Sequence, residues 1–465
     1  MTAPETEPAV LPPQETDFDV ETLIIGAGAC GMVAALAARE AGQEVLVLEA
    51  DAAASGSTAL SAGLIPAAGT RFQADAGIGD TPEHFAEDIQ AKAKGENDQA
   101  LVDALAQGSA PAIEWLAEQY GLPFSVVSDF DYPGHSRRRM HGLPTRSGQE
   151  LVDRLRSACE SREIDIICKR RVRTLFADGR RITGVIATRG DGGQERIGCR
   201  RLILACNGFG GNRKLVREHM PDIADALWFG HEGNRGEVLG WASQLGAATR
   251  HLGAYQGHGN VAHPNGILIT WAVITAGGVQ VNINARRFWN ESLGYSEAAR
   301  RVLSQSGGLA WTIFDGRIAD IARQFADFKN AEAQGAIRQD ATIAELARAC
   351  GLDPDVLEAT LTSLPKEGQD KFGRHFTGPT LTPPYCAVKV TGALFHTQGG
   401  LDVAPDGQVR GTDGTLFPNL YAAGGAASGV SGSADSGYLS GNGLLSAIVL
   451  GRAAGASQVS VQFER

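Results

Sequence analysis

Residues 19–50, DVETLIIGAGACGMVAALAAREAGQEVLVLEA, constrain the fold more than any other stretch of the chain. An apolar strand from Val20 to Ile25 enters a glycine turn, then an Ala/Leu-rich helix, then a second apolar strand that ends at Glu49. Gly26, Gly28 and Gly31 give the GxGxxG spacing. The first glycine makes the tight turn, the second lets the backbone approach a pyrophosphate, and the third allows close helix–strand packing. The helix N-terminus then faces the phosphate charge. Glu49 stands about 20 residues past the glycines, where a carboxylate holds a ribose hydroxyl pair. Glycines alone would be weak evidence. Strand, turn, helix, strand and acid in register predict a dinucleotide held by Gly26, Gly28, Ala29, Cys30, Gly31, Glu49 and Ala50.

The rest of the chain bounds the setting of this turn. With 465 residues, 43% hydrophobic, it can bury a large core in one large or two medium domains. The 59 glycines cluster in short runs such as NGFGG and AAGGAASG, which points to tight turns and close backbone approach to a ligand. A net charge of −11 argues against a nucleic-acid surface, and the runs KRRVR (169–173) and SRRRM (136–140) read as solvated edges. Seven dispersed cysteines without metal-ligand spacing read as free thiols in a reducing compartment. No apolar run is long enough to span a bilayer. The first 17 residues, acidic and proline-rich, lack the basic and hydrophobic regions of a signal peptide and are expected to be a disordered tail. The expected location is cytoplasmic.

Two distant segments choose between dinucleotides. RLILACNGFGGN (201–212) is a buried strand breaking at small residues, and LFPNLYAAGGAASG (416–429) is a strand ending in another glycine turn. Both resemble the second and third flavin contacts of the large two-dinucleotide-domain flavoproteins. No second GxGxxG offers a place for a nicotinamide nucleotide. The expected cofactor is FAD.

Further segments resemble the flavoprotein family of soluble fumarate reductases, urocanate reductases and 3-ketosteroid dehydrogenases, from residue 18 to the end. SGSTALSAGL (55–64) is similar to the loop over the flavin and RRFWNES (286–292) to the family's RFxNE segment. TIAELARACGLDPDVLEATLTSL (342–364) is similar to a cap-domain helix pair, FHTQGGLDV (395–403) to the HTxGG strand, and GYLSGNGLLSAIVLGR (437–452) to the C-terminal flavin helix. The resemblance implies an α/β fold, a Rossmann-like FAD-binding domain (18–252 and 397–465) with an inserted α+β cap domain (253–396). It places the active site at their seam, where closure of a mobile cap would exclude water. It further implies flavin contacts from Ser57, Thr58, Ser61, Ala62, Gly63 and Leu64. Others would come from Val172, Ala205, Asn207, Gly208, Gly424, Gly425, Gly441, Asn442, Gly443, Leu444 and Leu445.

The departures from the family pattern bear on chemistry. Membrane-bound relatives carry the flavin on a histidine where this chain has Ser57, so non-covalent FAD is expected. In the fumarate reductases an arginine four residues after the NE glutamate delivers the proton; four after Glu291 comes Tyr295. A second, carboxylate-clamping arginine is matched by Tyr438 in GYLSGN, and the TEAVR relay reads TWAVI, with Trp271 and Ile274 at its acid and base. Arginine grips carboxylates bidentately and stays charged. Two phenols and an apolar relay remove the reason for a dianion to bind, and a neutral carbonyl fits better. Tyr295, Tyr438 and Ser440 resemble the ketosteroid dehydrogenase branch.

The reaction expected is interconversion of a saturated and an α,β-unsaturated carbonyl compound by hydride exchange at flavin N5. Tyr295 would exchange the α-proton. Tyr438, Ser440 and the N–H groups of Gly441 to Gly443 would polarise the carbonyl, with His396 or His258 assisting. Tyr438 and His258 read equally well as packing residues, and His135, His141, His251 and His263 read as structural. A separate electron donor or acceptor is implied, because no haem, iron–sulfur or nicotinamide motif is visible. Two alternatives stay open: a fumarate-, urocanate- or tricarballylate-like carboxylate enzyme, and a flavin-binding protein without turnover.

Overall fold

The computed structural model describes residues 7–128 and 132–457. They divide into two units, one comprising the chain up to Met220, Gly230–Tyr255 and from His396 onward, the other Pro221–Phe229 and Gln256–Phe395.

In the first unit the apolar runs of the sequence become the parallel strands of a nine-stranded sheet. Val45–Leu48 is buried at every residue, as a strand covered on both faces must be. It pairs with Phe18–Ile25, which pairs with Gln194–Leu204, which pairs in turn with Leu416–Ala422. The register sets Leu48 beside Ile25, Ile25 beside Leu204, and Leu204 beside Ala422. The carboxyl ends of four strands therefore finish level, and the turns at Gly26, Ala205 and Ala423 leave from one edge. That edge is where doubly wound sheets bind ligands. Gly26 adopts φ +104, and a Cβ on Gly31 would lie 1.8 Å from the Gly26 carbonyl oxygen, so both positions require glycine. Helix Ala29–Glu40 is buried from Ala29 through Ala38, because helix Asn442–Ala456 covers it.

Two expectations change here. The tail is not structureless throughout: Ala9–Leu11 forms a strand parallel to Thr174–Phe176, and the Val10 N–H donates to Gln244 Oε1 at 2.9 Å. The apolar triplet AVL supplies an edge strand that the surrounding prolines and acids obscure; residues 1–6 of the expected tail lie outside the described residues. The basic runs are not simply solvated. Arg139 is 1% exposed and bound to Asp80 at 2.7 Å and to Asp88. Arg170 pairs with Glu195 at 2.6 Å and Arg171 with Glu237 at 3.5 Å. Their carboxylates come from distant segments, which a local charge count cannot see.

The second unit is built on a largely antiparallel sheet in the order Ile267–Leu268, Tyr255–Ala262, Tyr385–Thr397, Leu309–Asp315, Val279–Val281. Helices Ile343–Cys350 and Pro354–Thr362 follow the punctuation of their sequence. Thr342 and Asp353 accept N-terminal N–H groups, Pro354 opens the second helix, and Gly351 ends the first at φ +70. Residues 221–229, expected in the flavin domain, belong to this unit because Leu227–Trp228 pairs with Ala393–Leu394. The expected boundary at 396/397 falls one residue earlier, which assigns His396 to the first unit. Among the described residues no helix is long and apolar enough to cross a membrane.

Candidate active site

The first unit gathers the sequence-predicted cofactor residues along the carboxyl edge of its sheet. Glu49 Oε2 accepts the Ala27 N–H at 2.8 Å and Oε1 the Asp51 N–H at 2.9 Å. Each oxygen keeps a lone pair for a ribose hydroxyl, and the carboxylate cannot swing away. Arg170 N–H donates to the Glu49 carbonyl, so the strand carrying buried Val172 runs beside Glu49 and half-buried Ala50. Thr58 accepts the Ala29 N–H at 3.1 Å, which folds the 57–64 loop over the glycine turn. Within that loop Ser61 Oγ accepts from Gly63, Leu64 is buried and Ala62 is exposed. Cys30 is a buried thiol whose pKa burial pushes up to about 12, so it packs rather than reacts.

Ser57 is held by two amides. Asn207 Nδ2 donates to its Oγ at 2.8 Å and Asn234 Nδ2 at 3.3 Å. Asn207 itself, after Ala205 and before Gly208, adopts φ +69, an unusual conformation for a side-chain-bearing residue. Ser57 thus has its lone pairs engaged and a hydroxyl proton to give. No histidine or other nucleophile stands at Ser57 to bond a flavin.

The last helix closes the same edge. Gly441 turns at φ +86, and Asn442, Gly443, Leu444 and Leu445 form the first helical turn, leaving N–H groups without helical partners. Asn442 Oδ1 and Ser446 Oγ are buried without a hydrogen-bond partner among the described residues. A polyhydroxyl chain and a ring carrying N–H and C=O groups would supply what these atoms lack. The residues present therefore fit FAD: a carboxylate for the ribose, a glycine turn and helix N-terminus for the pyrophosphate, unsatisfied buried groups for the flavin end.

Next to this cradle lie three of the predicted catalytic residues. Tyr438 and Ser440 are 6% and 4% exposed in the turn before the last helix. His396 Nδ1 faces Gln398 Nε2 at 3.0 Å. Burial pushes the His396 imidazole down to about 4, a neutral ring at physiological pH. A Cβ on Gly425 would fall 2.1 Å from Asn207 Oδ1 and 2.9 Å from His396 Nε2, so the glycine turn Gly424–Gly425 lies against the imidazole.

The other two predicted catalytic residues belong to the second unit. Tyr295 opens helix Tyr295–Leu303, and its ring stacks on His258 with centroids 5.0 Å apart. His258 stacks in turn on Phe395 at 5.4 Å, and Phe395 on Phe229 at 4.7 Å. Trp271 stands edge-on to both His258 and Tyr295. Its indole N–H is buried with no partner among the described residues. Trp271 and Ile274, expected at the relay positions, pack with Trp289 in an apolar cluster. His258 Nδ1 accepts the Asn260 N–H at 3.2 Å, which puts the ring proton on Nε2, and burial pushes its pKa down to about 3.

Below this aromatic wall is a buried charge network. Glu291 bonds Arg287 through both oxygens at 2.9 and 2.5 Å, and Arg374 at 3.2 Å. Arg287 also pairs with Asp370. Arg374 donates to the carbonyls of Ile274 and Gly278, both at 2.9 Å, anchoring the segment that bears Trp271.

Sequence reasoning missed several participants. His135, read as structural, bonds the Ser440 carbonyl oxygen at 3.0 Å. Phe229 and Phe395 complete the stack, Asn234 holds Ser57, and Gln398 holds His396. No motif marks Phe229 or Asn234, whereas Phe395 and Gln398 lay inside the quoted FHTQGG segment.

Comparison with known proteins follows the same lines. The family described as FAD binding domain matches residues 21–444. A "Probable fumarate reductase" of Shewanella frigidimarina is 30% identical over 453 residues, covering 95% of this chain and 75% of the relative. The solved open conformation of a flavocytochrome c3 fumarate reductase superposes with TM-score 0.80 at 28% identity, covering 95% of this chain and 78% of that one. The 3-ketosteroid-Δ4-(5α)-dehydrogenase of Rhodococcus jostii, solved with 4-androstene-3,17-dione, gives TM-score 0.78 at 25% identity, covering 97% and 99%.

Proposed function

We propose, on the premise that the chain belongs to the FAD binding domain family and is an FAD-dependent oxidoreductase acting on CH–CH bonds, that its substrate is a neutral α,β-unsaturated carbonyl compound or the saturated counterpart. The observation that carries this is the aromatic column Tyr295–His258–Phe395–Phe229 with Trp271 against it, in a unit whose buried Arg287 and Arg374 are already paired. Arg287 and Arg374 are spent on Glu291 and Asp370 and cannot grip a carboxylate. His258 and His396 are neutral, so neither replaces the missing positive charge. A flat apolar ketone gains from such a wall, while a dianion would be desolvated there without a counter-charge.

FAD, held non-covalently, supplies the hydride acceptor or donor at the β-carbon. Tyr295 exchanges a proton with the α-carbon: as an acid a phenol titrating near 10 is competent unaided, and as a base it requires a neighbouring donor. Enolate character developing on the carbonyl oxygen requires donors aimed at it. Tyr438, Ser440 and the N–H groups at Gly441 to Gly443 supply these, with the Nε2–H of His396 or His258. Electrons enter or leave through a separate partner, and the free thiols support a reducing, cytoplasmic setting.

A second reading, reduction of a fumarate-like acid, is favoured by the 30% identity to the Shewanella frigidimarina protein. Anaerobic reoxidation of the reduced enzyme separates the two. Ketosteroid-like enones should reoxidise the flavin rapidly while fumarate and urocanate do so slowly. Turnover of an acid at a rate comparable with the best enone would sink the neutral-carbonyl proposal, and no reoxidation by either class would point to a flavin protein without turnover.

A further inference from the structure

Three buried side chains of the first unit, and the partly buried His396 at their end, form a hydrogen-bond chain that no sequence motif assigns. Asn442 Nδ2 donates to Ser431 Oγ at 3.2 Å, and the Ser431 hydroxyl donates to Gln398 Oε1 at 3.0 Å. Gln398 Nε2 then donates to His396 Nδ1 at 3.0 Å. Asn442, Ser431 and Gln398 are 1%, 1% and 5% exposed, so water does not compete. Gln398 is fixed at both backbone groups: its N–H bonds the Ala254 carbonyl at 2.8 Å, and its carbonyl accepts from Gly429 at 2.9 Å. A Cβ on Gly443 would lie 3.7 Å from Gln398 Nε2 and 3.9 Å from His396 Nδ1, so this pair sits on the first turn of the last helix.

The orientation of the Gln398 amide carries polarity along the chain. A primary amide is an acceptor at one end and a donor at the other. The oxygen of Gln398 is turned to the Ser431 hydroxyl, so the NH₂ on the other side of the same amide is the end that meets the imidazole. His396 Nδ1 must then be an acceptor, and in a neutral ring the proton resides on Nε2. That nitrogen is the one facing Gly425 in the glycine turn of the cofactor cradle.

We propose that Gln398 is a positioning residue that sets the tautomer of His396, so that a neutral imidazole presents Nε2–H as a hydrogen-bond donor to the substrate carbonyl oxygen. The tautomer assignment stands on the geometry alone; the identity of the acceptor rests on the function proposed above. A donor that is uncharged before and after the reaction polarises an enone without attracting carboxylates. Glutamate in place of Gln398 has nearly the same shape and inverts the chain. A carboxylate accepts from Ser431 and from His396 alike, which draws the imidazole proton to Nδ1 and leaves Nε2 an acceptor or, if a second proton is taken up, makes the ring cationic.

The test is long-range nitrogen–proton NMR of the ¹⁵N-histidine-labelled, flavin-loaded enzyme, with the His396 signals assigned by their loss in His396→Gln. Wild type should show the neutral Nε2–H pattern, unchanged from about pH 5.5 to 8.5, given the depressed pKa. Gln398→Glu should show the Nδ1–H pattern or a ring that titrates within that range. Turnover on the best enone should fall on the order of 10²–10³-fold, the usual loss for one oxyanion donor, with flavin content unchanged. Ser431→Ala, a milder change, frees the amide of Gln398 to rotate and should give both tautomers in one sample. An Nδ1–H or charged ring in wild type overturns the assignment, as does an unaltered ring pattern in both variants. A changed tautomer with unchanged enone turnover overturns the donor role. Absence of enone turnover in wild type, with the ring pattern as expected, overturns the function proposed above and the donor role with it, while the tautomer assignment stands.

Discussion

Glu291→Gln offers the most quantitative test of how the second unit is held together. The carboxylate is 0% exposed and receives Arg287 at 2.9 and 2.5 Å, Arg374 at 3.2 Å and the Gln280 N–H at 3.0 Å. With Asp370 the cluster holds two cations and two anions. The amide keeps the volume and can still accept the Gln280 N–H, but it leaves one positive charge uncompensated and turns an NH₂ toward a guanidinium. Removing one partner of a buried pair costs about 3–5 kcal/mol. For a unit of about 150 residues, each kcal/mol shifts the midpoint by about 2–4 °C, so a fall of roughly 6–20 °C is expected. Calorimetry of the flavin-loaded protein, with limited proteolysis to localise the early-melting unit, reads this directly. The double variant Glu291→Gln/Arg374→Met should recover part of the loss, because it removes the orphaned charge. A destabilisation below about 1 kcal/mol, or strictly additive effects in the double variant, would refute the buried-network argument.

Tyr295→Phe keeps the ring that stacks on His258 and should hold stability and flavin content while turnover falls on the order of 10²–10⁴-fold, with KM little changed. Retention of more than about a tenth of wild-type turnover in stopped-flow assays would remove Tyr295 from the proton-transfer role. Acid precipitation should release the flavin into the supernatant, since Ser57 offers no attachment, and flavin in the pellet would contradict this. The depressed pKa of His258, caused by burial, makes the unfolded chain bind one more proton between its ordinary value of 6.5 and about 3. The stability this contributes is full above 6.5 and is lost as pH falls, at about 1.4 kcal/mol per pH unit. His258→Gln should therefore flatten the pH dependence of urea unfolding between pH 6 and 4, and identical slopes for the two proteins would refute it.

The sequence by itself determined whatever depends on local spacing. The run from Val20 to Glu49 specifies a strand, a turn that requires glycine at Gly26, a helix whose Gly31 packs against that turn, and a second strand ending in an acid. Thr342, Gly351, Asp353 and Pro354 specify a helix pair by capping chemistry that acts within four residues. The expectation that Tyr295 and Tyr438 stand where fumarate reductases have arginine came equally from the sequence, because a motif fixes register without a structure. Tertiary structure decided everything that depends on which distant groups meet. Arg139 reads as surface charge until Asp80 and Asp88 are brought to it, and Ala9–Leu11 as a tail until Thr174–Phe176 offers an edge. Phe229, 166 residues from Phe395 along the chain, enters the aromatic column only because Leu227–Trp228 joins the strand ending at Thr397. The protonation of His396 was out of reach for the same reason: a ring tautomer is set by its partner, and the partner's polarity is set by Ser431 and Asn442, which only the fold places beside it.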